Sequence, residues 1–244
     1  MKLLMIGNSF AQDTLAYAPA VAASLGLELE AYNLYIGGCS LARHLYEAVD
    51  GHHSYTLEHY RADLNHEYTA GASIDDGLSL LPWDAVSFQQ ASNFSGFVES
   101  YLPLDTLRTY VEQRVPKTTG YLWHMTWAYQ QDYQGEAFAR YDNSQAMMYA
   151  SIRRAVDVCI RPRKLGVIPN GVAIQGGRAV FGDILTRDGY HLSYDKGRYI
   201  AALTLVTRLF DIAPEKVTFV PDGITPDDAA LCRAIAHAST RGER

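Results

Sequence analysis

Short apolar runs alternate with helix-period segments along this chain, and most runs stop at glycine, proline or a small polar residue. Such alternation restricts a chain to a sheet with helices on both faces, because each element's apolar surface is covered only by the other layer. The runs 2–6, 27–34, 84–89, 119–123 and 164–168 predict five strands. The segments 14–23, 41–49, 104–115, 139–160 and 195–210 predict helices. In 139–160, Met148, Ile152, Ala155, Val156 and Ile160 fall on one face at helical spacing. Tyr55 to Tyr60 and Glu67 to Ala70 read as a small antiparallel hairpin. The expected fold class is α/β, a three-layer α/β/α sandwich around a mostly parallel five-stranded sheet.

At 244 residues and 48% hydrophobic content, the chain can bury one large core and is short for two. No linker, repeat or low-complexity tract divides it. The expectation is one domain over 1–244, with a tail from about residue 211, punctuated by Pro214 and Pro221, packed on the body. Net charge is −6 and no basic stripe stands out, which argues against nucleic acid as the main partner. No run approaches the ~20 apolar residues of a membrane span. Lys2 is followed by only four apolar residues before Gly7-Asn8, which is no signal peptide, so a cytoplasmic protein without a membrane partner is expected. Cys39, Cys159 and Cys232 form no CxxC pair and give neither a disulfide framework nor a zinc site. His52, His53, His59 and His66 match no metal-ligand spacing, so neither metal nor organic cofactor is expected. A phosphate-cradling loop is also missing: there is no GxGxxG and no GxxxxGKS.

In parallel sheets, ligands bind beyond the carboxyl ends of the strands. Ser9, Gly37-Gly38, Gln89 to Asn93 and His124 all lie just after predicted strands and should gather on one edge. Asp188-Gly189-Tyr190-His191 adds a carboxylate and an imidazole three residues apart, which one turn can present together. Hydroxyl, imidazole and carboxylate are the attacking group, proton acceptor and orienting anion of acyl transfer. Taken singly, Ser9 would read as a helix cap and Asp188 as a turn residue. His124 and Trp127 could line the cleft or pack in the core, and Arg178 could bind a substrate carboxylate or a structural acid. The 17 tyrosines, many of them within 46–68 and 121–149, fit a sugar cleft or ordinary packing.

Three stretches, Ile6-Gly7-Asn8-Ser9-Phe10, Ile36-Gly37-Gly38-Cys39-Ser40 and Asp188-Gly189-Tyr190-His191, resemble sequence blocks of the SGNH, or GDSL-like, hydrolase superfamily. The chain looks like a bacterial branch of it that shares the phrases YIGGCSL, TWAYQ and LTRDGYHLS. The resemblance spans roughly residues 1 to 210 and implies a flavodoxin-like sheet. It implies Ser9 as nucleophile, His191 as general base and Asp188 as its partner. The oxyanion would be held by the Ser9 N–H and an N–H of the glycine pair, Gly38 ahead of Gly37. A third donor would come from Asn93 or Gln90, because the third block reads Gln89-Gln90-Ala91-Ser92-Asn93-Phe94 where the superfamily shows Gly-x-Asn-Asp. Expected substrate-binding residues are His124, Trp127 and Arg178. The implied activity is hydrolysis of a small acyl ester, an acetylated carbohydrate ahead of a simple lipid or aryl ester. A carbohydrate-binding protein without catalysis and an acyltransferase are the rival readings.

Overall fold

The structure is a computed structural model and describes residues 1–242. The last two residues of the expected tail lie outside the described residues. Five parallel strands form one continuous block of the sheet, β1 (Lys2–Gly7), β2 (Glu30–Tyr35), β5 (Ala85–Gln89), β6 (Gly120–His124) and β7 (Gly166–Ile168), with β7 at its edge. An antiparallel pair, β3 (Tyr55–Tyr60) and β4 (His66–Ala72), continues the sheet on the β2 side, giving the order β4-β3-β2-β1-β5-β6-β7. The sheet therefore has seven strands where five were expected. The hairpin was anticipated, but its docking on β2 was not. β1 sits at the centre, and Leu3, Leu4, Met5 and Ile6 are buried on both faces, as a continuous apolar run in a parallel sheet requires.

The registers bring Gly7 level with Tyr35, Ile6 with Phe88, Gln89 with His124 and His124 with Ile168. All five parallel strands thus end along one edge. The connections that leave it begin at Asn8, Ile36, Gln90, Met125 and Pro169.

The helices in chain order are α1 (Ser9–Leu15), α2 (Ala18–Ala23), α3 (Leu41–Asp50), α4 (Ile74–Leu80), α5 (Leu104–Glu112), α6 (Glu136–Ala139), α7 (Gln145–Ala155), α8 (Asn170–Phe181), α9 (Lys196–Phe210) and α10 (Pro226–Arg241). On one side of the sheet α9 packs against α1, α2, α8 and α10, and on the other α3 packs against α4 and α5. The tail is thus largely helix, docked on α8 and α9. The first expected helix starts five residues earlier, at Ser9, and breaks at Ala16-Tyr17 before α2, which carries Pro19 at its second position. The long helix expected from Ala139 starts only at Gln145, capped by Ser144, and continues as a π-helical turn over Val156–Ile160. No helix among the described residues is long and apolar enough to cross a membrane.

Glu58 explains why the hairpin belongs to the sheet. β4 contributes almost no burial, whereas β3 carries this buried carboxylate inward. It accepts hydrogen bonds from Gln12 Nε2 on α1 (2.6 Å), Asn33 Nδ2 on β2 (2.9 Å) and Tyr60 Oη on β3 (3.0 Å). One acceptor pair thereby joins the hairpin, the parallel sheet and the first helix. Glu58→Ala leaves three donors without their acceptor and is expected to cost about 3 kcal/mol or more. Urea unfolding checks this, and a Glu58→Ala midpoint equal to wild type would contradict it.

Candidate active site

α1 begins where β1 ends, and its cap is Asn8 rather than Ser9: Asn8 Oδ1 accepts the Phe10 N–H at 3.0 Å. Ser9 is therefore the first helical residue. The opening N–H groups of a helix lack intrahelical acceptors, and among the described residues the Ser9 N–H donates to none. Its hydroxyl faces the other end of the chain. Ser9 Oγ lies 2.8 Å from His191 Nε2, and His191 Nδ1 lies 2.6 Å from Asp188 Oδ2. Asp188 Oδ1 also accepts the backbone N–H groups of His191 (2.8 Å) and Tyr190 (3.2 Å). Partial burial raises the Asp188 carboxyl's pKa, but the hydrogen bonds from the His191 ring and these two amides outweigh it and leave the pKa below the usual value. The carboxylate is thus held ionised against the imidazole.

The turn carrying Asp188 and His191 is closed by Thr186 pairing with Leu192 and by the Arg187 N–H on the His191 carbonyl (2.9 Å). Gly189 takes φ +92, and a Cβ there would lie 2.4 Å from Tyr133 Cδ2. Only glycine satisfies both the left-handed backbone and the close approach. Beneath the turn, Trp127 donates its indole N–H to the Tyr190 carbonyl at 2.7 Å and stacks on Phe10 with centroids 4.3 Å apart. The Gln130 N–H holds the Gly189 carbonyl at 2.7 Å. Tyr190 lies 4.0 Å from the His191 ring and packs on Tyr129 and Tyr133, leaving half-buried phenol faces beside the imidazole.

A residue that carried no signal in the sequence fastens this turn to α1. Asp13, one helical turn after Ser9, is fully buried and accepts from Arg187 Nη1 (2.9 Å), Arg198 Nε (2.8 Å) and the Leu192 N–H (2.8 Å). Arg187 also donates to the Leu192 carbonyl, and both guanidinium groups lie over the Tyr194 ring.

The expected oxyanion donors are placed differently from one another. Gly38 takes φ +62 in an exposed turn closed by the Cys39 N–H on the Ile36 carbonyl (3.2 Å), and its own N–H meets no acceptor among the described residues. Asn93 lies on a 3-10 turn, Ser92–Phe94, half-exposed. Ser92 Oγ in that turn is 2.9 Å from Tyr129 Oη, which ties it to the tyrosines beside His191. Gln90 is corrected: its side chain is buried and spent. Oε1 accepts the Leu41 and Ala91 N–H groups, and Nε2 donates to Ser100.

His124, Trp127 and Arg178 are corrected as substrate-lining residues. His124 and Trp127 have essentially no exposed surface. Trp127 is the floor under the turn, and burial pushes His124 down to about 3, so it is neutral. Arg178 pairs with Asp183 at 2.7 Å and donates to the Ala128 carbonyl (3.0 Å), a structural role. No group of three or more His, Cys, Asp or Glu among the described residues is placed to hold a metal ion.

The family model described as "Domain of unknown function (DUF4886)" matches residues 2–239. No curated protein matches the sequence. Among solved structures, the chain is similar to a DUF4886 family protein from Bacteroides uniformis, at 35% identity and a TM-score of 0.94 over 98% of this chain and 93% of that one. It is similar at 20% identity and a TM-score of 0.53 to a candidate SGNH hydrolase from Slackia heliotrinireducens, over 86% and 98% of the two chains. At 14% identity and a TM-score of 0.51 it is similar to Axe2, an acetylxylan esterase from Geobacillus stearothermophilus, over 91% and 96%. The last two likenesses concern the fold.

Two measurements follow from the buried groups. Asp13→Asn removes the charge shared by two partly buried arginines and is expected to cost roughly 2–4 kcal/mol, and to loosen the 186–192 turn; unchanged urea stability would contradict it. His44, whose Nδ1 is 3.0 Å from Tyr55 Oη, is also pushed by burial down to about 3. His44 and His124 titrate near 6.5 when unfolded, so below that pH the unfolded chain binds protons the folded chain does not. Stability should fall as pH drops from about 6.5 toward 3, by roughly 1 kcal/mol per pH unit for each group. Denaturation midpoints that stay flat between pH 7 and 4.5 would contradict this.

Proposed function

The chain belongs to the DUF4886 family, and on that footing we propose that it is a serine ester hydrolase acting on small acyl esters. One observation carries the reading: the hydrogen-bonded series Ser9 Oγ, His191 Nε2 and His191 Nδ1, Asp188 Oδ2, at 2.8 and 2.6 Å, standing at the open N-terminus of α1.

With Nδ1–H given to Asp188, the imidazole presents a bare Nε2 to the Ser9 hydroxyl. His191 takes that proton as Ser9 Oγ attacks the acyl carbonyl, and the carbonyl π electrons move onto oxygen. The Ser9 and Gly38 N–H groups, with the Asn93 side-chain amide as third donor, receive the oxyanion. The helix N-terminus adds its partial positive charge. Collapse expels the alcohol, which takes the proton from His191 and leaves an acyl group on Ser9. Water, deprotonated by the same imidazole, repeats the attack and frees the carboxylic acid and Ser9. Neither metal nor organic cofactor has a part in these steps.

The substrate proposed first is an acetylated carbohydrate. The phenol faces of Tyr133 and Tyr190 beside His191 offer apolar surfaces of the kind a sugar ring packs on. The similar fold of a protein named as an acetylxylan esterase agrees with it.

Release of p-nitrophenol from p-nitrophenyl acetate tests the mechanism. Folded Ser9→Ala and His191→Ala are each expected to lose at least about 1,000-fold of a clear wild-type rate. Equal rates in wild type and Ser9→Ala would dismiss Ser9 as nucleophile. Acetate release from acetylated xylo-oligosaccharides then tests the substrate, and turnover confined to the aryl ester would reject the sugar.

A further inference from the structure

Behind the Ser9 turn runs a series of side chains with almost no solvent contact: Asn8, Gln89, His124, Thr14 and Asn170. A single backbone group fixes their hydrogens. The Phe10 N–H donates to Asn8, so Oδ1 faces α1, and Nδ2 donates to the Cys39 carbonyl at 3.2 Å. Gln89 Nε2 donates to the same Oδ1 at 2.6 Å, which turns Gln89 Oε1 toward His124 Nδ1 at 3.0 Å. Nδ1 therefore carries the ring hydrogen. Nε2 is left as an acceptor, 3.0 Å from Thr14 Oγ1 and 3.1 Å from Asn170 Nδ2, and Asn170 also donates to Thr14 at 2.8 Å. From the Phe10 N–H to His124 Nε2, each hydrogen position thus follows from the one before it.

The two ends of the Asn8 amide touch the two turns that offer N–H groups to the site. Oδ1 caps the helix whose first N–H is that of Ser9. Nδ2 holds the carbonyl of the residue after Gly38. Nothing lies within 4 Å of where a Gly38 Cβ would be, so the turn has no side-chain packing at that point. We infer that Asn8 is the positioning residue that sets the distance between the Ser9 and Gly38 N–H groups, with Gln89 and His124 fixing which way its amide faces. This rests on the ester-hydrolase reading, because the distance matters only where both groups receive one oxyanion. Reacting groups misplaced by about 1 Å lose about 100-fold in rate.

Asn8→Asp separates positioning from folding. One carboxylate oxygen still accepts from Phe10 and Gln89, while the other faces the Cys39 carbonyl, so the cap survives and the tie does not. In a folded variant with a thermal midpoint within about 5 °C of wild type, two rates are expected to fall about 10- to 100-fold. They are kcat for p-nitrophenyl acetate and the rate at which a fluorophosphonate probe labels Ser9. KM should stay within about 3-fold, as expected when a transition-state contact alone is lost. Gln89→Met tests the same amide from its other side and replaces Asn8→Asp should that variant fail to fold. Combined, the two should cost no more than the larger single loss, since both act through one group. A folded Asn8→Asp reacting at the wild-type rate, or losses that multiply in the double variant, overturns the inference and leaves the hydrolase reading standing. A wild type that neither takes the probe nor hydrolyses ester overturns both.

Discussion

The Asp13 carboxylate joins two parts of the chain that are 174 residues apart at Arg187 and 185 apart at Arg198. It is buried, and a buried carboxylate persists only where its charge is matched and its lone pairs are filled. Two guanidinium groups and one backbone N–H meet that demand, and two of these three partners belong to the turn that carries His191. Asp13 lies four residues after Ser9 on α1, so both face the same way. The position of His191 over Ser9 is therefore set by helix geometry on one side and by charge on the other. Trp127, which donates to the Tyr190 carbonyl and stacks on Phe10, and Gln130, which donates to the Gly189 carbonyl, hold the same turn from beneath.

His191 and His124 show how environment divides one residue type between two tasks. His124 is enclosed, and its surroundings supply donors and acceptors that suit only the neutral ring. Burial holds it there far below the pH at which an imidazole ordinarily charges. It is suited to fixing an amide and unsuited to moving a proton. His191 is only partly buried, with the ionised Asp188 carboxylate 2.6 Å from its Nδ1 and the Ser9 hydroxyl on its Nε2.

The geometry of the candidate site was partly legible, because Ser9, Asp188 and His191 sit where sequence marks a strand end and a turn. Leu3 to Ile6 announces a central strand, and the residue after Gly7-Asn8 must then lie on the sheet edge. Asp188 and His191 are local to one turn, so their spacing alone puts them together. His124 shows the limit of the same reasoning. It too ends a strand, yet α8 and the chain after Met125 close over that end, and the sequence near His124 carries no sign of such cover. Gln90 failed for a related reason: its amide is consumed by the Leu41 N–H, a partner 49 residues away. Other features were visible and undervalued. Ser73 and Asp76 form a capping box at α4, and Thr225-Pro226-Asp227-Asp228 is an ordinary helix start for α10. α8 is harder to see, since Gly176-Gly177 argues against helix and only packing against α9 and α10 sustains it.

The hairpin shows why the strand count itself is hard to read from sequence. A parallel five-stranded sheet ending at β2 would leave that strand's edge open, and an open edge invites pairing with another chain. β3 closes it, and β4 then becomes the edge, exposed along His66 to Gly71, with His66 and Glu67 among its side chains. Tyr55, Glu58 and Tyr60 of β3 are buried, and of these the charged Glu58 is the most demanding of its partners. An apolar residue at position 58 would bury equally well in many registers, whereas a carboxylate that must meet Gln12, Asn33 and Tyr60 together fits only one. Gln12 lies between Ser9 and Asp13 on α1, so the same helix is pinned from the sheet edge through Glu58 and from the distant turn through Asp13. Together with Phe10 on Trp127 and Thr14 on Asn170, these ties fix α1 on several sides, and with it the place of the Ser9 hydroxyl beside His191.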